Sequence, residues 1–357
     1  MPSSVSLVGE DAAPDRPMRR VFLTLVRLGI GVALLVYLAR SGVINLHALS
    51  RLYTAWPITM AALALLLGDA ALMGLRLCWL FAPQGLHLPL GRSLQLTLVS
   101  FFFAIFLPGS AGGDLAKLFY ATKGNRGRRA EIITIIALDR AIGLFSLLIL
   151  PLLFAPMFLP FIRTQPVLGV LLIAVALLAF GLLAAFLVCL LNPQGVLKLF
   201  PRSSTFERIA GTIRVYRRNR GTLVAALGAS MAANLCLIAV TALAVVALNP
   251  GGPSKVMSLM IPLGHIVNSL PLTPGGLGVG ETAFNALFEM AGFRGGAETL
   301  LCWRIWMAVI GIFGLGFYLR GLRRCVFDGE AAGEERVQNS GLPAPLRDRL
   351  ELKGRTE

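Results

Sequence analysis

The stretch LPLTPGGLGVGETAF, residues 270–284, sets two prolines and four glycines beside a glutamate in a chain that is 56% hydrophobic and 14% charged. A helix in lipid tolerates irregular backbone only where it is buried in protein or lines a wet cavity. The stretch therefore predicts a helix that ends and restarts inside a membrane protein.

Working outward, the composition supports the membrane. Soluble domains carry about 25% charged and roughly 45–50% apolar residues, whereas mean hydropathy here is +0.75. Six apolar runs, at about 21–39, 57–81, 131–155, 167–191, 222–248 and 299–319, approach or exceed the roughly 20 residues needed to span a bilayer. Two more, at about 94–107 and 256–270, are shorter. At 1.5 Å per residue they make helices of roughly 21–23 Å, too short for a hydrocarbon core of about 30 Å.

The net charge of +15 is distributed in clusters between the apolar runs, as the positive-inside rule predicts; anionic-lipid binding is the other reading of those clusters. No nucleic-acid partner is expected. Arg16, Arg19 and Arg20 precede the first run, and the stretch from Lys117 to Arg129 adds Lys123, Arg126 and Arg128. The central loop from Lys198 to Arg220 is richer still, and Arg320, Arg323 and Arg324 follow the last run. The connections at 156–166 and 249–256 hold only Arg163 and Lys255.

If the rich clusters are cytoplasmic, residues 94–122 enter and leave on the cytoplasmic face and 256–294 on the outer face. The expected fold is an all-α polytopic bundle of six spans plus two re-entrant helical hairpins, with both termini cytoplasmic. Eight full spans are the alternative, at the cost of placing the basic 117–129 stretch outside. The expected parts are a cytoplasmic segment 1–20, a transmembrane domain 21–320 with halves at about 21–155 and 167–319, and a disordered cytoplasmic tail 321–357. No small-residue cleavage site follows the first run, which reads as an anchor that stays.

The two hairpin tips echo one another. LPGSAGGDLAKLF (107–119) and residues 270–284 both run Leu-Pro, three residues, Gly-Gly, then an acidic residue entering a helix. Arg140 follows Gly112 by 28 residues and Arg304 follows Gly275 by 29. With three crossings per half, the second copy is inverted, a recurrent transporter plan with broken helices at the midplane. A helix restarting after glycines presents free N–H groups and a partial positive charge, which suits a phosphate or carboxylate. Asp114 and Glu281 either cap those helix starts or meet a headgroup directly; both roles stay open.

Charges inside the runs cost roughly 2.5–3.5 kcal/mol each at a helix centre and imply partners on other helices or a wet cavity. Asp69 and Arg76 are about 10.5 Å apart along one helix face, too far to touch. Asp139 and Arg140 point about 100° apart and cannot pair with each other. Arg304 and Glu289 sit in later segments, and Arg27 reads as snorkelling to the surface. His265 and Asn268 are spaced to share a polar face.

Five scattered cysteines without C-x-x-C spacing and three distant histidines offer no metal set. No cofactor is expected. The absence of a D-x-D or H-x-x-x-D cluster argues against a metal-dependent transferase for lipid-linked substrates.

The segments LPGSAGGDLAKLF, LPLTPGGLGVGETAF, LDRAIGLF (138–145) and CWRIW (302–306) resemble the flippase-like family, the integral-membrane region of lysylphosphatidylglycerol synthetases and stand-alone relatives. The resemblance covers about 20–320. It implies a helix bundle that moves lipids between leaflets of the bacterial inner membrane, and the soluble synthetase domain of two-part members is expected to be absent. Carried over by motif are Pro108, Gly112, Gly113 and Asp114, then Pro271, Pro274, Gly275, Gly276, Gly278 and Glu281. Asp139–Arg140 stands where relatives commonly have Glu-Arg, and Arg304 matches a late arginine. PGSAGGD lacks the arginine and glutamate that many relatives carry nearby.

The expected substrate is a phospholipid, glycolipid or polyprenyl-linked lipid. Those motif residues, with Lys117, Asp69 and Arg76, form the expected headgroup path, and the protein is expected to be a transporter and not an enzyme. A non-catalytic scaffold beside a separate lipid-synthesis enzyme is the alternative.

Overall fold

A computed structural model describes residues 55–106, 111–123, 126–191, 204–248, 255–270 and 278–320. The first expected span, the N-terminal segment, the tail and the tip residues Pro108, Pro271, Pro274, Gly275 and Gly276 lie outside the described residues.

Helix α1 (Trp56–Phe81) precedes two short helices, α2 (Leu90–Phe106) and α3 (Ala111–Thr122), which pack on one another as a hairpin. Helix α4 (Arg129–Phe154) and the short α5 (Leu159–Thr164) lead to α6 (Pro166–Leu191). Then come α7 (Ser204–Arg218), α8 (Arg220–Leu248), a second hairpin of α9 (Met257–Asn268) and α10 (Val279–Met290), and α11 (Gly296–Arg320). The described residues include five segments long and apolar enough to cross a membrane, at 56–84, 129–164, 166–191, 220–248 and 296–319. They coincide with five of the six expected spans.

Helix α6 illustrates how these sequences place themselves. It is apolar all round, as a helix with lipid on most of its surface must be. Leu168, Leu172, Val175 and Ala179, spaced by three and four, form its buried stripe against α4, while Val170, Ile173, Leu177 and Phe180 are exposed. In hydrocarbon such side chains need no cover.

One end of the bundle is tied by hydrogen bonds. Arg128 Nη2 donates to the Gln84 carbonyl at 2.6 Å, and Gln84 Nε2 donates to the Thr212 carbonyl at 3.0 Å. Tyr216 of α7 donates its hydroxyl to the Leu80 carbonyl, and Arg208 reaches the Gly127 carbonyl. Burial pushes the Tyr216 phenol up from its ordinary value, so it stays a donor. The chain therefore enters α2 and leaves α3 at the same end, as the hairpin reading expects; eight full spans would separate Gln84 from Arg128. The start of α9 (Val256) and the chain after α10 (Ala291, Phe293) join a different apolar cluster, shared with Phe158, Phe161 and Ile162 after α4.

Two expectations are corrected. The central stretch between α6 and α8 is not simply a loop: residues 204–218 form the amphipathic helix α7, whose last turn carries Arg217 and Arg218. Lys117 is not part of the basic connection either, since it lies within α3 and is 2% exposed. Its charge belongs to the interior.

The two halves interlock. The first hairpin's arm α2 packs along α11, the last helix of the second half, and the second hairpin's arm α9 packs on α4, the last helix of the first. Helices α1 and α8, the corresponding spans of the two halves, make the most extensive contact among the described helices. The exchange is reciprocal, as a two-fold internal repeat requires.

Candidate functional site

The buried charges converge on one cavity. Its volume is about 250 Å³, somewhat below the roughly 300–1,000 Å³ of pockets for drug-sized ligands. Asp69 and Arg76 reach it from α1, Gly113, Asp114 and Lys117 from α3, Asp139 and Arg140 from α4, and Arg304 from α11. Helix α8 adds Ser230 and Asn234, and α9 adds His265 and Asn268. Each of the two hairpins thus contributes residues bordering its tip, and Asp69, Asp139 and Asn234 lie near the middle of long helices.

Three ion-paired groups organise the wall. Arg76 Nε donates to Asp139 Oδ1 at 2.6 Å and its Nη1 to Ser230 Oγ at 2.7 Å, while Lys117 Nζ lies 3.8 Å from Asp139 Oδ2. All of these side chains are buried. Arg76 lies over Gly143, where an added Cβ would stand 3.0 Å from Nη1. Asp114, in the first turn of α3, pairs with Arg140 at 3.2 Å. Glu281, in the first turn of α10, pairs with Arg304 Nε at 2.9 Å.

The last two pairs turn the sequence echo into geometry. In each half the acidic residue that follows the glycines meets the arginine of the next long helix. Arg304 also donates through Nη2 to Asn268 Oδ1 at 2.9 Å. The near-equal spacing of Gly112–Arg140 and Gly275–Arg304 marks the two arginines that pair, although their carboxylate partners stand at different offsets, 26 and 23 residues before them.

Glu281 takes the capping role and adds an ion pair to it. Its Oε2 accepts the Gly278 N–H at 2.8 Å, capping α10, while Oε1 faces Arg304. Gly278 has φ +82°, a backbone conformation that side-chain-bearing residues rarely adopt. At this helix start the protein's own carboxylate meets that N–H, and no ligand is needed to satisfy it.

Glycine at 113 answers to packing. A Cβ there would stand 2.6 Å from the Ser100 carbonyl oxygen, so the two arms of the first hairpin meet through the missing side chain.

Several lining residues were not among the expected set. Ser230 and Asn234 lie in a run without charge and carry no motif. Asn234 Nδ2 donates to Ser146 Oγ at 2.7 Å, and Ser230 is found only through Arg76. His265 and Asn268 were legible as a polar face; His265 Nε2 bonds Thr241 Oγ1 at 2.8 Å and is boxed edge-on by Phe284 and Trp303. Glu289 stands apart, hydrogen-bonded to Asn285 on the same helix. No cluster of three metal-ligating side chains occurs among the described residues.

A cavity with four guanidinium or ammonium groups and matching carboxylates, set inside an apolar exterior, can exchange internal ion pairs for a charged group brought in from outside. The Arg140 side chain is 38% exposed and Asp114 24%, so this pair is open to a ligand while Arg76–Asp139 is not.

Comparison with protein families finds a match over residues 24–314 to the lysylphosphatidylglycerol synthase TM region. The comparisons with curated proteins and with solved structures gave no match.

Proposed function

Because the chain belongs to the family of the lysylphosphatidylglycerol synthase TM region, and is an integral membrane protein of that kind, we propose that it translocates a polar lipid across the bilayer, acting as a transporter and not as an enzyme. The observation that carries this reading is the cavity at which both hairpins and three long helices bring ion-paired charges together. Charges cost several kcal/mol each in a membrane interior, and seven in contact pairs exceed what locking two helices together requires.

The headgroup enters the cavity while its acyl chains stay in the surrounding lipid. A phosphate exchanges places with Asp114 on Arg140, the most exposed cation of the set. Arg304 and Glu281 hold the second hairpin in register with α11, so that rocking of one half against the other opens the cavity to each face in turn. The basic end, where Arg128, Arg208 and Arg217 gather, is cytoplasmic by the positive-inside rule, and the membrane is a bacterial inner membrane. Each hairpin enters and leaves on one face without crossing.

The test is translocation in reconstituted vesicles containing a panel of labelled phospholipids, glycolipids and polyprenyl-linked lipids. Wild type should move at least one class. Glu281→Gln and Arg304→Ala, checked for folding by their elution profile, should slow it at least tenfold. Equal rates in the folded variants and wild type would sink the reading and favour a scaffold for a lipid-synthesis complex, which tolerates neutral replacements.

A further inference from the structure

Asp69 is the carboxylate of the cavity that the ion pairs leave over. It lies near the middle of α1, is 8% exposed, lines the cavity, and makes no hydrogen bond or ion pair among the described residues. Among the described residues the other charges of the site are matched by contact: Arg140 meets Asp114, Arg304 meets Glu281, and both Arg76 and Lys117 meet Asp139, their one acidic partner there. That last group has two cations for one anion. Asp69 lines the same cavity as Arg76 and Lys117 and is the carboxylate there whose charge can offset the second cation.

The groups around Asp69 come from each neighbouring helix. Arg76 lies on its own helix, Lys117 and Asp114 on α3, and Asp139 and Arg140 on α4. Helix α8 brings Ser230 and Asn234 and no charged group. Helix α11 brings Arg304, with Glu281 of α10 behind it, and α9 brings His265; α2 presents Ser100 and no charged group to the cavity.

An arriving phosphodiester changes this balance. Taken up on Arg140, its single negative charge adds to a cavity whose charges already balance; Asp114 stays partly exposed, and Asp69, buried and without an ion pair among the described residues, is left as the excess carboxylate in a site from which the headgroup has displaced water. Such a group neutralises by taking up a proton. We propose that Asp69 is a proton site linked to the headgroup site, so that an anionic lipid headgroup and one proton are bound together. The proton comes from solvent and adds to a carboxylate oxygen of Asp69, and no bond of the lipid changes. The loaded cavity then carries the same net charge as the empty one, and the load that moves is electrically neutral. This rests on the reading that a headgroup occupies the cavity.

The experiment uses the full chain in detergent and dihexanoyl phosphatidylglycerol, a phosphodiester whose own charge is constant near neutral pH. Calorimetric titration in buffers of different ionisation enthalpy counts the protons taken up on binding. Wild type should take up as much as one proton per lipid, falling towards zero in acid where Asp69 is already protonated. Its affinity should weaken by up to about tenfold per pH unit on the alkaline side. Asp69→Asn should bind with no uptake and a flat pH profile, and Asp69→Glu should restore both.

Binding by wild type without proton uptake, uptake retained in Asp69→Asn, or no binding of the lipid overturns the proposal. Should Asp69→Asn fail to fold, the infrared carbonyl band of a protonated carboxyl must grow when lipid is added to wild type, and its absence overturns the proposal equally. Failure of the translocation reading looks different: vesicles in which wild type moves no lipid, while lipid-linked proton uptake persists in detergent.

Discussion

Asp139 and Asp114 each pair with an arginine, yet they should differ sharply when neutralised. Asp139 holds two buried cations, and removing one partner of a buried pair costs about 3–5 kcal/mol. Asp139→Asn should therefore lower stability by that order, measured by thermal unfolding in detergent. Asp114→Asn, whose pair is partly exposed, should cost under about 1 kcal/mol while still impairing transport. Gly113→Ala is a steric counterpart. Its Cβ meets a backbone oxygen that cannot swing away, so about 1–3 kcal/mol of overpacking is expected. Gly127→Ala, with open space around the added carbon, should leave the melting temperature unchanged. At this scale the sequence names the charges and excludes two pairings, Asp69 with Arg76 and Asp139 with Arg140. It cannot name Arg76 with Asp139, because residues 63 apart meet only once the facing sides of α1 and α4 are known.

Among elements, the long helices are legible because lipid selects for length and hydropathy, which are local properties. The hairpins are legible for a converse reason: their arms are too short to span, and Gly-Pro breaks mark where they turn. Helix α7 is not legible in the same way. Its polarity averages to that of a loop, and its fixed place comes from Tyr216 and Thr212 bonding to the end of α1, contacts that hydropathy does not encode. The ion pairs at equivalent places in the two hairpins were half visible, as a spacing without a partner. A repeat in sequence gives equal distances along the chain; only the fold converts them into distances through space.

For the whole molecule, the arrangement of ends makes a topological prediction. Single cysteines placed at Arg92, Lys123 and Arg214 should react with a membrane-impermeant thiol reagent from one face, and cysteines at Lys255 and Arg294 from the other. Eight full spans would instead put position 123 opposite position 92. The substitutions are made in a chain whose native cysteines are replaced, and labelling of right-side-out against inverted vesicles reads the result.

The interlocking of the halves has a consequence for biogenesis. Helix α2 packs along α11, yet 190 residues separate Phe106 from Gly296. At the roughly 5–20 residues per second of translation, the first hairpin is made about 10–40 s before the helix that covers it. During that interval the Arg140–Asp114 and Arg76–Asp139–Lys117 groups sit in the bilayer beside a translating ribosome with half their neighbours still unmade. A nascent chain stalled there is the form most exposed to membrane proteases, and a shielding insertase would have its client in that interval.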